Sequence, residues 1–97
     1  MTNQVTIIGA GNLTSSLLKA IHKNTFSYRL NIIDTDRKKR FGLKRFKINF
    51  FSSYTDILTE SNLIILMVKP NNYIKVIKEM NPYLSNKAII VSFMAGI

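Results

Sequence analysis

The stretch "VTIIGAGNLTSSLLKAI", residues 5–21, holds two hydrophobic periods joined by two glycines. With Gln4 it begins as a β-branched run of strand character, which Gly9 stops. From Asn12 the period becomes helical, with Leu13, Leu17, Ala20 and Ile21 on one face and Ser15, Lys19 and Lys23 on the other. Two readings of Gly9-Ala10-Gly11-Asn12 follow. Either it is a tight βα turn with glycines for purely structural reasons, or a turn stripped of side chains so that a ligand can approach its backbone.

The remaining sequence repeats the alternation of strand and helix. "RLNIID" reads as a second strand ending at Asp34, followed by a short helix over about 37–44 that breaks near Gly42. "INFF" is a brief third strand. Ser53 with Asp56 forms a capping-box pattern, so "SYTDILTES" is expected to be a short helix. "NLIILMV" is apolar without alternation, as expected of a central parallel strand covered on both faces. Pro70 suits a first helical turn, and Tyr73, Ile74, Ile77 and Met80 continue that helix on one face up to Asn81-Pro82. "AIIVSF" is a fifth strand. Parallel neighbours need crossover connections, so this order predicts one α/β domain over residues 1–97. The right-handed crossover rule makes it a Rossmann-like open sheet of about five mostly parallel strands, order 3-2-1-4-5, with helices on both faces.

Composition narrows the chemistry. The 97 residues carry no Cys and one His, which excludes disulfides, thiolate catalysis and Cys-built metal sites and leaves little for imidazole chemistry. No apolar run approaches membrane-span length, and "MTNQ" lacks the basic and apolar regions of a signal peptide, so a cytoplasmic protein without a membrane partner is expected. The formal charge of +9 favours anionic partners, and much of it sits in "RKKRFGLKRFK", residues 37–47. A/T-biased codon usage would enrich Lys, Asn, Ile and Phe in the same way.

In a dinucleotide-binding fold the first βα turn carries G-x-G-x-x-G, whose glycines turn the chain, admit a pyrophosphate to the backbone and let helix pack on strand. Gly9 and Gly11 occupy the first two places and Thr14 the third. The context supports a phosphate cradle: the turn follows the first strand, opens a helix with its anion-attracting N-terminus, and is followed at the usual spacing by an acidic residue, Asp34. Asp34 would hold the ribose hydroxyls of NAD, whereas Thr35, Arg37 and Lys38 would hold the 2′-phosphate of NADP. Alternatively, Asp34 or Asp36 caps the next helix and the basic run is a solvated face.

Three stretches in register, "IIGAGNLTSSLL", "LIILMVKPNN" and "IIVSFMAGI", resemble the N-terminal NAD(P)-binding domain of the pyrroline-5-carboxylate reductase family, which reduces 1-pyrroline-5-carboxylate to proline. They match its G-x-G-N-M pattern with Leu13 for Met, its V-K-P after strand four, and its S-x-A-A-G-[IV] after strand five with Met94 for the first Ala. The resemblance spans essentially the whole chain. A β-hydroxyacid dehydrogenase or deazaflavin-dependent reductase domain would share the first turn, and V-K-P with the S-x-x-A-G ending is what favours the reductase.

The resemblance implies NADP as cofactor, with NAD as the alternative; no catalytic residue and no metal are expected within this domain. Ile8, Gly9, Ala10, Gly11, Asn12 and Leu13 would line the pyrophosphate. Asp34 and Thr35 would lie near the adenosine ribose, Val68, Lys69 and Pro70 beside the nicotinamide half, and Met94 and Ala95 at the closing edge of the cleft. Thr14, Ser16 and Asn62 depart from the family pattern. In that family a helical domain that builds the dimer and most of the imine pocket follows A-G-[IV]. Its absence from these 97 residues leads us to expect no catalysis by the chain alone. With order 3-2-1-4-5 the apolar fifth strand falls at a sheet edge, which invites a second copy or a partner chain. Two other readings of function stand beside this one: a basic module binding nucleic acid or other anions through residues 37–47, which we rank below the dinucleotide, and a nucleotide-binding regulatory protein without chemistry.

Overall fold

The computed structural model describes residues 3–22, 28–43, 46–85 and 87–92. Its strands are β1 (Asn3–Ile8), β2 (Tyr28–Ile33), β3 (Asn49–Phe51), β4 (Leu63–Leu66) and β5 (Ile89–Ser92). The helices are α1 (Asn12–His22), the single turn α2 (Ile57–Glu60) and α3 (Tyr73–Met80), with 3₁₀ turns at Arg37–Leu43, Pro70–Asn72 and Asn81–Tyr83. All four strand pairings are parallel and the order is β3-β2-β1-β4-β5. The architecture is the one that the alternation of periods predicts.

Register divides the core into two layers. Ile8, Ile33, Ile64 and Leu66 point to the face covered by Leu58, Val76 and Met80. Ile7, Ile32 and Ile65 point to the other, against Leu18 of α1 and Leu43. The apolar run of β4 therefore does fill both faces, which is why it shows no alternation. Toward the amino ends of the strands the first face turns polar: Asn49 Nδ2 donates to Asn31 Oδ1, Asn31 Nδ2 to Gln4 Oε1, and the Thr6 and Ser61 hydroxyls lie 2.6 Å apart. Ser61 Oγ donates onward to the Ile57 carbonyl, so these buried groups are satisfied as a connected chain.

Three local expectations are corrected. The inward face of α1 is Thr14, Leu17 and Leu18; Leu13 is 45% exposed, Ala20 is exposed, and the side chain of Ile21 lies outside the described residues. Thr14 sets this rotation, because its hydroxyl donates to the Gly9 carbonyl at 2.6 Å and so must face the sheet. On α3 the buried residues are Val76 and Met80, with Tyr73 and Ile77 packed beside them, while Ile74 is 68% exposed. The capping box at Ser53 is not formed: α2 begins only at Ile57, whose N–H is taken by Thr55 Oγ1, and Asp56 makes no side-chain cap. Among the described residues no helix is long and apolar enough to cross a membrane.

A cleft at the carboxyl ends of the central strands

Beyond the carboxyl ends of β1, β2 and β4 lies an open cleft of about 520 Å³. An open parallel sheet creates such a crevice where its connections diverge to opposite faces, here between the β1–α1 turn and the segment after β4. The two glycines at its floor have different roles. Gly9 adopts φ +106°, its N–H donates to the Ile33 carbonyl at 2.8 Å, and a Cβ there would collide with the backbone carbonyl of Met67. No other residue fits. Gly11 lines the cleft, and a Cβ added there would meet no atom within 4 Å. Its lack of a side chain relieves nothing inside the protein; it leaves room in the cleft beside the first N–H groups of α1, which have no intrahelical acceptor.

Asp34 joins this turn to the one after β2. Its Oδ2 accepts the Ala10 N–H at 2.8 Å and its Oδ1 the Asp36 N–H at 2.9 Å, with the side chain only 10% exposed. Lys39 Nζ stands 3.4 Å from Oδ2. Asp36 in turn accepts the Lys38 N–H, so it opens the 3₁₀ turn that follows. Both aspartates line the cleft, and Asp36 in addition takes the capping role at the 3₁₀ turn.

Of the sequence-predicted residues, Ile8, Gly9, Ala10, Gly11, Leu13, Asp34, Thr35, Val68 and Lys69 converge on the cleft. Asn12 begins α1 without a described side chain, Pro70 opens the exposed 3₁₀ turn Pro70–Asn72 without lining the cleft, and Met94 and Ala95 lie outside the described residues. Arg37 is a correction: it lines a separate hollow with Lys38, Arg40 and Phe41, and Lys39 takes the cleft position. In a 3₁₀ segment each residue advances about 120° around the axis, so one step along the basic run changes the face.

Sequence reasoning also missed Tyr54, Asn72, Lys75, Val76 and Glu79 on the cleft wall. Tyr54 comes from the β3–α2 connection and the others from the segment after β4, with only the V-K-P stretch as a signal. Burial, reinforced by the Glu79 and Asp34 carboxylates, pushes the Tyr54 phenol above its ordinary value of 10.0. It is therefore a neutral aromatic at physiological pH. Among the described residues no cluster of three or more His, Asp or Glu side chains is arranged to hold a metal.

Comparison with known proteins agrees with this architecture. A pyrroline-5-carboxylate reductase from Arabidopsis thaliana is 29% identical over 97 residues, covering 97% of this chain and 35% of its own length. Prephenate dehydrogenase from A. aeolicus, solved with hydroxyphenyl propionate and NAD+, superposes with a TM-score of 0.81 at 16% identity over 95% of this chain and 33% of its own. Pyrroline carboxylate reductase from Plasmodium falciparum, solved with NADP bound, gives 0.76 at 21% identity over 98% and 34%. The chain spans about a third of the length of these proteins. The model of the family described as "NADP oxidoreductase coenzyme F420-dependent" matches residues 4–96. With the glycine turn and all five strands but the first residue of β1 inside that match, the protein belongs to this NADP oxidoreductase family and, as its motifs indicate, is of the pyrroline-5-carboxylate reductase N-terminal-domain type.

Proposed function

We propose that this chain is the nicotinamide-dinucleotide-binding domain of a pyrroline-5-carboxylate reductase, using NADP(H) in preference to NAD(H). The contrast between its two glycines carries the proposal: Gly9 is demanded by the fold, whereas Gly11 is not and borders open cleft. A pyrophosphate at Gly11 would face the N–H groups that open α1 and the positive end of the helix dipole. The bound dinucleotide would supply the hydride, and the protein's part is to bind and orient it.

In this reading Ile8 to Leu13 hold the pyrophosphate, and Val68 and Lys69 run beside the nicotinamide half, with Pro70 fixing the turn behind them. Tyr54 and Val76 add aromatic and apolar wall. Lys69 is in none of the ion pairs found among the described residues, leaving its charge for a ligand. The Asp34 carboxylate already serves Ala10, Asp36 and Lys39, which blunts it as a repeller of a 2′-phosphate. Lys39 is 46% exposed and lines the cleft with Thr35, in reach of the same corner. This pair supports NADP(H), as does the family's description.

Residues 1–97 act here as one domain without a catalytic residue of their own, in the cytoplasm. We expect them by themselves not to turn over the imine, because a hydride donor must be positioned against its substrate. The apolar edge strand β5, with Ile89 66% exposed, is covered by a second copy. Like edges of identical chains pair about a two-fold axis without further adaptation.

The deciding experiment is a calorimetric titration with NADPH, NADH and ATP. Saturable binding of NADPH, weaker binding of NADH and none of ATP is expected. Equal, salt-sensitive binding of all three would reject the cleft as a dinucleotide site.

A further inference from the structure

One wall of the cleft carries a carboxylate that neither the phosphate turn nor the fold uses. Asn72, Lys75, Val76 and Glu79 stand at i, i+3, i+4 and i+7, so a single face of α3 and of the turn before it borders the cleft over two helical turns. Tyr54, from the β3–α2 connection, borders the same space. Its phenol feels both the Glu79 and the Asp34 carboxylates, so the three groups share one end of the cleft. Asp34 follows β2 and Tyr54 follows β3, which puts that end toward the β3 edge of the sheet.

The surfaces there differ in kind. Val76 is buried and belongs to the core cluster against which Tyr54 packs, so the two offer apolar area to a ligand. Glu79 continues the same face with a side chain 38% exposed. Among the described residues its one ion-pair partner is Lys75, 3.9 Å away and 78% exposed. A carboxylate has about four acceptor sites, so Glu79 keeps capacity for a second donor. Asp34, by contrast, already serves Ala10, Asp36 and Lys39. An apolar slot with an acceptor-only group at its edge suits a flat heterocycle that bears an N–H donor. With the ribose near Asp34 and the nicotinamide beside Val68 and Lys69, the ring left for this end is adenine, whose exocyclic amino group is such a donor.

We infer that Glu79 accepts a hydrogen bond from the adenine amino group of the bound dinucleotide, with the ring between Tyr54 and Val76, and so selects adenine over hypoxanthine dinucleotides. The inference rests on the proposed dinucleotide function and adds a specificity-determining residue to it. Deamination puts a carbonyl acceptor where the amino donor stood, and opposite a carboxylate the attraction becomes a repulsion between two acceptors. The ring N–H gained on deamination lies one position away, and reaching it requires the base to shift between its walls.

Calorimetric titration of the full chain with NADPH and with reduced nicotinamide hypoxanthine dinucleotide phosphate tests it, because the two ligands differ only in the base. The parent should bind the hypoxanthine analogue about tenfold or more weakly than NADPH, the effect of exchanging a hydrogen bond to a charged group for a repulsion. In Glu79→Gln the side-chain amide can accept from the amino group or donate to the carbonyl, so the two affinities should come within about twofold of each other. Glu60→Gln, which removes an exposed carboxylate outside the cleft, should keep the parent's ratio. Melting temperatures show whether each variant folds, and Glu79→Ala, with the same expected loss of preference, replaces a Glu79→Gln protein that does not. Equal affinities in the parent, or a preference that persists in the Glu79 variants, would overturn the inference while NADPH binding leaves the dinucleotide reading in place. A parent that binds neither ligand would reject that reading and the inference with it.

Discussion

Asp34 Oδ2 accepts the backbone N–H of Ala10 at 2.8 Å, so an acidic residue at the end of β2 holds the turn at the end of β1 in place. The position that sequence patterns associate with ribose is thus first a structural strut. Its second oxygen holds Asp36, and Lys39 balances its charge. Asp34→Ala leaves two backbone donors without their acceptor, and bonds to charged groups of this kind contribute about 1.5 to 3 kcal/mol each at most. The expected loss is about 2 kcal/mol in urea unfolding, with weakened NADH and NADPH binding together. Lys39→Ala should instead spare stability and reduce the preference for NADPH over NADH by about fivefold or more, read by calorimetry.

Gly9 and Gly11 should respond oppositely to the same substitution. Gly9→Ala sets a Cβ against the Met67 carbonyl at a positive φ, and we expect a loss of about 3 kcal/mol or failure to fold. Gly11→Ala should stay within about 0.5 kcal/mol of the parent, or gain slightly from reduced unfolded-state entropy. Its NADPH affinity should fall at least tenfold. A Gly11→Ala protein that binds normally would show that its open backbone serves no ligand.

The raised Tyr54 phenol makes a pH prediction with a definite sign. The folded state keeps the proton where the unfolded chain, near 10.0, loses it, so the stabilising contribution is intact below pH 10 and declines as pH rises from there through the folded-state value. Thermal melts between pH 8 and 11.5 should show Tyr54→Phe losing less stability above pH 10 than the parent. Parallel curves would remove Tyr54 as a contributor.

The β5 edge gives a prediction about assembly. Ile89, Ile90 and Val91 are all exposed at the border of the sheet. A lysine on such an edge opposes strand pairing. Light scattering should find a concentration-dependent dimer for the parent and a monomer for Ile90→Lys, with NADPH binding unchanged. A parent that stays monomeric at high concentration would refute the proposed second copy.

Much of this protein was determined by the sequence alone, because the decisive signals are local. The change of period at Gly9, the unbroken apolar run of β4 and the Pro70 turn define the elements, and their alternation with the glycine turn after the first strand points to the Rossmann-type order. The same locality made nine of the cleft residues legible, since they cluster at the carboxyl ends of strands and in the segments that follow, where ligand sites of open sheets gather. Only the tertiary structure decided which way each segment is rotated. Thr14, bonded to Gly9, turns Leu18 rather than Leu13 inward, and two residues along a 3₁₀ turn Lys39 takes the place at the cleft expected of Arg37. It also separated the glycine that the fold requires from the one that it does not. Those distinctions depend on Met67 opposite Gly9, on Asp34 opposite Ala10 and on Tyr54 reaching the cleft from beyond β3. Such contacts join residues 20 or more positions apart, and no local pattern in the chain encodes them.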